Sequence, residues 1–112
     1  MKTIQVKHWT DVPNNYTGIV EWDNGARIWC KNSRVHREDG PAVVWINGDR
    51  EWWLNDDIIW KSQFGQLCLK HKIIVSKEKH PEYSTVQVWK YIDGNGIQER
   101  IIVPGMEDFI IE

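Results

Sequence analysis

A spacing of 23 residues recurs within the first half of this 112-residue chain. Residue types are repeated at that offset, including two tryptophans and both members of an Asn-Gly pair. The identical pairs are Trp22 and Trp45, Asn24 and Asn47, Gly25 and Gly48, Arg27 and Arg50, Trp29 and Trp52, and Asn32 and Asn55. A fixed period of about 20–50 residues is typical of repeat architectures. The chain is therefore expected to contain two copies of one structural unit.

Each copy is predicted to form a β-hairpin. Asn24-Gly25 and Asn47-Gly48 interrupt runs of alternating apolar residues, and Asn-Gly favours hairpins because both residues tolerate positive φ. A two-residue turn places the Trp before each turn opposite the Arg after it. Because side chains alternate along a strand, one face is predicted to contain Val20, Trp22, Arg27 and Trp29 in the first copy and Val43, Trp45, Arg50 and Trp52 in the second.

The opposite face of these hairpins is also half apolar. It is predicted to contain Ile19, Glu21, Ile28 and Cys30, followed by Ala42, Val44, Ile46 and Trp53. A single-layer sheet would leave one of the two faces in water. The rest of the chain, or a partner, is therefore expected to cover it.

After Asn55 the pattern of apolar residues changes. Trp60, Phe64, Leu67 and His71 recur at helical spacing, and Ser62 can cap a first turn, which predicts a short amphipathic α-helix over residues 61–71. Further predicted elements are a strand at 73–75, a third hairpin formed by 85–92 and 97–103 around Asp-Gly-Asn-Gly, and a terminal edge strand at 109–112.

The predicted fold is mainly β, a meander of antiparallel β-hairpin repeats with one short α-helix around residues 61–71. A chain of this length is expected to form a single domain over residues 1–112. Residues 18–60 form the two repeats, fewer than the roughly three copies that usually stabilise a repeat array. The helix and the C-terminal hairpin, within residues 61–112, are therefore expected to act as a cap and core partner.

The segment between the repeated hairpins carries a family resemblance. Residues 36–42 read His-Arg-Glu-Asp-Gly-Pro-Ala and are followed by Asn47-Gly48, Trp52-Trp53 and Asn55. This string resembles the variant MORN-like repeat of many phage, viral and bacterial proteins, and the match covers residues 18–60. The resemblance implies hairpins stacked into an elongated twisted sheet, in a phage or bacterial accessory protein that could inhibit a host or competitor factor. The Gly and Tyr pattern of standard MORN repeats is absent, so phosphoinositide or membrane binding does not carry over.

Residues that could carry enzymatic chemistry are few. His36, Glu38 and Asp39 form the obvious acidic and imidazole cluster, but only His36 and Glu38 would share a face of an extended segment, and two ligands make a weak metal site. Arg37, Glu38 and Asp39 are interpreted as fixing the turn between the hairpins through salt bridges and turn hydrogen bonds. Cys30 and Cys68 are interpreted as packing residues. No GxSxG, P-loop or GxGxxG motif occurs, so no catalytic residue, metal or cofactor is predicted and the chain is not expected to be an enzyme.

Eight tryptophans must either fill a core or form a contact surface. Repetition at a structural spacing favours a core ladder, whereas rings interleaved with Arg can also stack on sugars, bases or nucleotides. The candidate binding residues of that alternative are Trp22, Arg27, Trp29, Trp45, Arg50 and Trp52. A nucleic-acid binder is a further alternative, because residues 61–80 contain five lysines and one acid, a local charge of +4. Lys70 and Lys72 are its candidate contacts.

The favoured function is non-catalytic protein–protein interaction through exposed sheet edges or an uncovered Trp face. The net charge of −2 gives no global field that would recruit nucleic acid or a membrane. The partner is expected to be another protein, and unpaired sheet edges are also compatible with a homodimer. Two cysteines without a CxxC motif, and a start without a signal-like apolar run, indicate the cytoplasm of a bacterium or of an infected host cell.

Overall fold

A computed structural model describes residues 1–70 and 72–111 and confirms the mainly β fold. Strands β1 to β12 are, in order, Thr3–Val6, Gly18–Trp22, Arg27–Lys31, Arg34–Val35, Val43–Val44, Arg50–Leu54, Asp57–Lys61, Leu67–Cys68, Ile73–Lys79, Gln87–Asp93, Gly96–Ile102 and Ile110–Ile111. The helical segments within these residues are short 3-10 turns at Trp9–Asp11, Ser62–Phe64 and Met106–Phe109. None of the described helices is long and apolar enough to cross a membrane.

The chain forms two compact units. The first, called the repeat unit below, consists of Met1–Arg37 and Pro41–Gln63. The second, called the C-terminal unit, consists of Glu38–Gly40 and Phe64–Glu112. A three-residue piece of the loop between the repeats thus belongs to the C-terminal unit.

The repeat unit is one sheet with the strand order β1-β2-β3-β5-β6-β7, and β4 pairs with β3. The 23-residue period is visible in the strand boundaries, because Arg27–Lys31 and Arg50–Leu54 are displaced by that number of residues. Neighbouring strands are antiparallel, except that β1 runs parallel to β2. No element is predicted for residues 1–17, so the edge strand β1 is an addition to the predicted meander.

Each copy of the repeat contains a two-residue turn after its second strand, between β3 and β4 in the first copy and between β6 and β7 in the second. Asn32 and Ser33 connect β3 to β4 with φ of 50° and 63°. The equivalent Asn55 and Asp56 connect β6 to β7 with φ of 48° and 66°. Two consecutive positive-φ residues are the signature of a type I′ turn, which matches the twist of paired strands. The Asn pair in the repeat thus marks a turn at the same place in each copy.

The Asn-Gly turns are one residue longer than predicted. The N–H of Trp22 donates to the carbonyl of Ala26 at 2.9 Å, and the N–H of Gly25 donates to the carbonyl of Trp22 at 2.9 Å. Gly25 has a φ of 94°. This is a three-residue loop in which a type I turn is followed by a left-handed glycine. Trp45, Gly48 and Asp49 form the equivalent loop.

The extra loop residue changes the register of both hairpins. Arg27 lies opposite Glu21, and Ile28 opposite Val20, so the predicted pairing of Trp22 with Arg27 and of Val20 with Trp29 is wrong. The predicted pairing of Trp45 with Arg50 and of Val43 with Trp52 is wrong for the same reason, since the observed pairs are Val44 with Arg50 and Val43 with Glu51. A shift of one residue moves a strand's side chains to the other face.

The core of the repeat unit lies on the face of Val20, Ile28 and Cys30. Its buried members are Val6, Tyr16, Val20, Ile28, Cys30 and Val43, with Ile4, Val12, Trp22, Val35 and Trp53 packed against them. Val6 and Tyr16 come from the segment before the first repeat. The N-terminal segment therefore supplies cover for this face, which we call the core face of the repeat sheet.

The predicted α-helix over residues 61–71 is wrong. Its first residue, Lys61, ends strand β7, and a 3-10 turn over Ser62–Phe64 precedes strand β8 at Leu67–Cys68. Gly65 has a φ of 79°, which lies outside right-handed helical geometry. Ile58, Ile59 and Trp60 are β-branched or aromatic residues that favour the extended strand before it. The last residue of the predicted helix, His71, lies outside the described residues.

The C-terminal unit contains a three-stranded antiparallel sheet, β9-β10-β11, and a parallel pair, β8 with β12. The third hairpin is confirmed, with a two-residue Gly94-Asn95 loop between the paired Asp93 and Gly96. The predicted strand at 73–75 is confirmed and extends to Lys79, and the terminal strand is confirmed at Ile110–Ile111. Buried side chains of this unit include Leu67, Leu69, Val86, Trp89, Tyr91, Ile102, Val103 and Met106.

Candidate interaction surfaces

The predicted Trp-Arg set is divided between two faces of the repeat sheet. Trp22 packs against the residues of the core face. Arg27 and Trp29 alternate with the core residues Ile28 and Cys30, so they lie on the opposite face. The aromatic ring and the guanidinium that were expected to face each other in the first copy are therefore on opposite sides.

The second copy is divided in the same way. Arg50 and Trp52 flank Glu51 along β6 and lie on the face opposite to it. Trp45 is on the side of Glu51, to which it is hydrogen-bonded. Trp52 is completely buried, whereas Trp45 is 37% exposed. The tryptophans are therefore not equivalent rungs of one ladder, and the candidate residues do not share one surface.

The arginines of the repeat bind partners other than those predicted. Arg27 forms an ion pair with Glu21 at 3.2 Å. The guanidinium of Arg37 lies over the ring of Trp29, 4.3 Å from its centroid. Arg50 lies over Trp52, but at 5.9 Å, near the outer limit of a cation–π contact.

A buried carboxylate joins two indoles in the second copy. Glu51 is 5% exposed, and its two oxygens accept hydrogen bonds from Nε1 of Trp45 at 2.7 Å and from Nε1 of Trp53 at 2.8 Å. We call these three residues the indole clasp. The first copy has Ile28 where the second has Glu51, and among the described residues the buried Nε1 of Trp22 has no hydrogen-bond acceptor. The clasp is thus specific to one copy.

The loop that carries His36, Glu38 and Asp39 is hydrogen-bonded to its surroundings at His36 and Arg37. His36 is buried, and its Nδ1 accepts a hydrogen bond from the backbone N–H of Asn55 at 2.9 Å. Arg37 donates from Nη1 to the carbonyl of Pro41 at 3.1 Å, closing the loop. No group of three or more potential metal ligands occurs among the described residues.

The two cysteines lie in different environments. Cys30 is buried in the core of the repeat unit, and burial raises the pKa of its thiol to about 11. Cys68 is exposed on β8. Cys30 has the packing role that was expected of it, whereas the expectation that Cys68 is buried is wrong, because β8 replaces the helix that would have buried it.

The lysines of residues 61–80 are divided between the two units. Lys61 belongs to the repeat unit, while Lys70, Lys72, Lys77 and Lys79 belong to the C-terminal unit. Lys72 lies over the ring of Tyr91 at 4.7 Å, and Lys77 over the ring of Trp89 at 4.0 Å. Lys70 is exposed. Nucleic-acid binding by Lys70 and Lys72 stays a prediction.

A row of exposed isoleucines crosses the sheet of the C-terminal unit. Ile92 on the central strand β10 pairs with Ile73 on β9 and with Ile97 on β11. Their exposed fractions are 67% for Ile73, 41% for Ile92 and 67% for Ile97. Directly paired residues lie on the same face, with Cβ atoms roughly 5 Å apart. The three side chains, called the isoleucine row below, therefore form one continuous apolar strip.

Charged residues follow the isoleucine row on the same face. Lys90, two positions before Ile92, pairs with Ser76 and Glu99, and its Nζ lies 3.0 Å from Glu78 and 3.8 Å from Glu99. The hydrogen bond from Lys90 lowers the pKa of the Glu78 carboxyl, and the same contact raises the pKa of Lys90. The contact thus favours the charged forms of Glu78 and Lys90, and Glu99 adds a second carboxyl group to this border of the row.

The isoleucine row is not among the candidate residues predicted from the sequence. A signal was present, because a two-residue Gly94-Asn95 turn necessarily places Ile92 opposite Ile97. The third member, Ile73, could not be aligned, because β9 contains a bulge at Val75 that shifts its register.

Protein-family profiles, curated proteins and solved structures yield no significant match. The MORN-like resemblance of residues 18–60 therefore stays an expectation.

Proposed function

We propose that this protein is a non-catalytic interaction module, in the manner of a phage or bacterial accessory or inhibitor protein, and that it binds another protein through the isoleucine row. The observation that carries the proposal is the exposure of Ile73, Ile92 and Ile97 in one cross-strand line. The largest contiguous apolar patch on the surface of a protein is often a functional site. A single exposed isoleucine would not carry the same weight.

The energetics favour this strip as the centre of an interface. Full burial of an exposed isoleucine side chain contributes about 1.5–3 kcal/mol, and the part still exposed at each of the three positions is what a partner can bury. Three neighbouring side chains together can form an apolar interface centre. The side chains are β-branched and stand on paired strands, so little rotamer freedom is lost on binding. The surface is thus preorganised for docking.

The charged residues beside the isoleucine row indicate which kind of partner surface would be complementary to it. Glu78 and Glu99 flank Lys90 and place two carboxyl groups and one amine beside the apolar strip. A partner that presents apolar side chains with an adjoining Lys or Arg complements both features. Strand addition at the β9 edge is less favoured, because Lys77 and the bulge at Val75 are devices that oppose edge pairing.

The experiment compares three immobilised baits in lysate of the cells that express the chain. They are the wild type, the triple variant Ile73→Thr, Ile92→Thr, Ile97→Thr, and the control Ile46→Thr, which changes an isoleucine exposed on a repeat turn. Threonine keeps β-branching, so the sheet is expected to remain folded, as circular dichroism will check. We expect a protein that the wild type and the control retain and the triple variant loses. Binding is then measured with that protein purified.

Two results would contradict the proposal. One is a set of retained proteins that is the same for all three baits. The other is a homodimer in sedimentation velocity that the triple variant dissociates, since the occupant of the row would then be a second copy of the chain.

A further inference from the structure

The isoleucine row runs across the strands of the C-terminal unit rather than along one of them. Ile73, Ile92 and Ile97 are on three adjacent strands and are directly paired. Adjacent strands are roughly 4.8 Å apart, so the row extends about 10 Å from its first side chain to its last. The apolar side chains of a docking element must match these distances.

An α-helix matches the spacing of the row better than a β-strand does. A helix rises about 1.5 Å per residue, so side chains at positions i, i+3 and i+7 on one face span about 10.5 Å along its axis. Side chains on one face of a strand are about 6.7 Å apart, and three of them span about 13 Å. A strand laid along β10 would meet only Ile92 of the row. A helix laid across the three strands can contact all three isoleucines.

Space for one flank of a helix is present at the turn between β10 and β11. A helix with its side chains is about 10 Å wide, so it overlies the residues on both sides of the row. On the turn side, a Cβ built at Gly94 or Gly96 would meet no atom within 4 Å. The glycines thus leave room for that flank of a docked helix.

The other flank of a docked helix would lie over charged side chains. Lys90 is two positions before Ile92, and its Nζ is 3.0 Å from the carboxylate of Glu78 and 3.8 Å from that of Glu99. Lys77 and Lys79 alternate with Glu78 along β9, so they belong to the opposite face. This flank therefore presents two carboxyl groups and one amine, which is complementary to a basic side chain.

We propose that the isoleucine row docks an amphipathic α-helix of the partner protein, lying across β9, β10 and β11. The helix presents apolar side chains at i, i+3 or i+4, and i+7, and a Lys or Arg on the flank above Glu78 and Glu99. This inference rests on the proposed function, since it names the element through which the partner binds.

The test uses two display libraries selected against the full chain. One library varies a single face of a fixed α-helical scaffold, and the other varies the same number of positions on a β-hairpin. Both are depleted on the variant Ile73→Thr, Ile92→Thr, Ile97→Thr, so that only binders that need the row remain. We expect these binders to come from the helical library, with the apolar spacing and the basic flank described above.

The selected binders are then made as peptides, and their affinities are measured by fluorescence anisotropy. Ile97→Thr alone changes a side chain that is 67% exposed, so the sheet is expected to stay folded while binding weakens about threefold to tenfold. Glu99→Gln is expected to weaken binding about threefold, in keeping with the small contribution of exposed ion pairs. It is expected to have no effect on a peptide whose basic residue is replaced by Gln. Asp108→Asn, the same charge change on the Met106–Phe109 turn, is the matched control and is expected to leave the affinity unchanged.

Row-dependent binders from the hairpin library alone, or from neither library, would overturn the inference. Equal weakening by Glu99→Gln and Asp108→Asn would overturn the assignment of the basic flank. If a lysate protein nevertheless depends on the row, the proposed function stands and only helical docking fails. Helical binders without any row-dependent lysate protein would instead contradict the proposed function.

Discussion

Glu51 illustrates how a single side chain can distinguish two copies of a repeat. A buried carboxylate is costly unless its oxygens are hydrogen-bonded, and here both oxygens accept from indoles of the same copy. Each bond involves a charged acceptor, which makes it stronger than a neutral hydrogen bond. The equivalent Ile28 is instead part of the apolar core. The residue at this position therefore decides whether a copy is held by packing or by a polar clasp.

Replacement of Glu51 by Gln is expected to destabilise the repeat unit by about 1–3 kcal/mol, because one indole N–H would face an amide donor instead of an acceptor. Glu51→Ala, which leaves both indoles without an acceptor, is expected to cost more. Denaturant unfolding followed by tryptophan fluorescence measures both. Glu21→Gln serves as the control, since its exposed pair with Arg27 contributes less than about 1 kcal/mol. Equal stability of the Gln variant and the wild type would show that the clasp contributes nothing.

Among the strand pairs, the parallel pairing of β1 with β2 requires a glycine at position 18. Gly18 has a φ of 149°, and a Cβ built on it would collide with the carbonyl oxygen of Lys2 and lie 2.7 Å from the hydroxyl of Tyr16. The N–H of Ile19 donates to that same carbonyl at 2.7 Å. The parallel strand can therefore approach only because no side chain is present.

Gly18→Ala is expected to destabilise the repeat unit by about 3–5 kcal/mol, through backbone strain and a clash with main-chain atoms. Gly48→Ala is the matched comparison, because its φ is 90° but its Cβ would meet no atom within 4 Å. Gly48→Ala is expected to lower the free energy of unfolding by only about 1–2 kcal/mol, the cost of holding a residue with a Cβ in a left-handed backbone conformation. Thermal unfolding of the two variants measures the difference. Similar losses would mean that β1 does not pack on β2 as described.

Features of the strands and turns that depend on local sequence could be predicted, whereas those that depend on strand register could not. The period, the hairpins and the Gly94-Asn95 turn could be predicted because they depend on local turn chemistry. The register of the repeated hairpins could not, since Asn-Gly suits both a two-residue turn and the last positions of a three-residue loop. The spacing of apolar residues and the capping residue Ser62 predicted a helix, but Gly65 interrupts it with a φ of 79°. The isoleucine row requires the pairing of three strands, and that pairing depends on a bulge that local sequence does not reveal.

At the scale of the whole molecule, the reactivities of the two thiols measure burial in different units, Cys30 in the repeat unit and Cys68 in the C-terminal unit. At neutral pH we expect Ellman's reagent to modify Cys68 rapidly, because it is exposed, and Cys30 slowly, because it is buried with a pKa of about 11. Cys68→Ser should remove the fast phase and Cys30→Ala the slow one. Since modification of Cys30 requires opening of the repeat unit, its rate should rise with denaturant. Two equally fast phases would contradict the burial of Cys30.

The raised pKa of the Cys30 thiol gives the direction in which the stability of the repeat unit changes with pH. The folded-state pKa of Cys30 lies above its ordinary value of 9.0, so the unfolded chain releases this proton first. The contribution of the protonated Cys30 thiol to the free energy of unfolding is therefore fully present below pH 9. It is lost as the pH rises through about 11. Cys30→Ala is expected to unfold with a smaller pH dependence over this interval, measured by urea denaturation at several pH values.

The assignment of Glu38–Gly40 to the C-terminal unit has a consequence for biosynthesis. Domains generally fold in the order in which they leave the ribosome. The repeat unit has all its residues once position 63 has emerged, whereas the C-terminal unit must wait for the last strand, whose Ile111 carbonyl accepts a hydrogen bond from Leu69. One of its contacts, the Thr85 hydroxyl donating to the carbonyl of Glu38, uses a loop that was translated early. The C-terminal unit thus includes a segment, Glu38–Gly40, that is translated well before the rest of that unit.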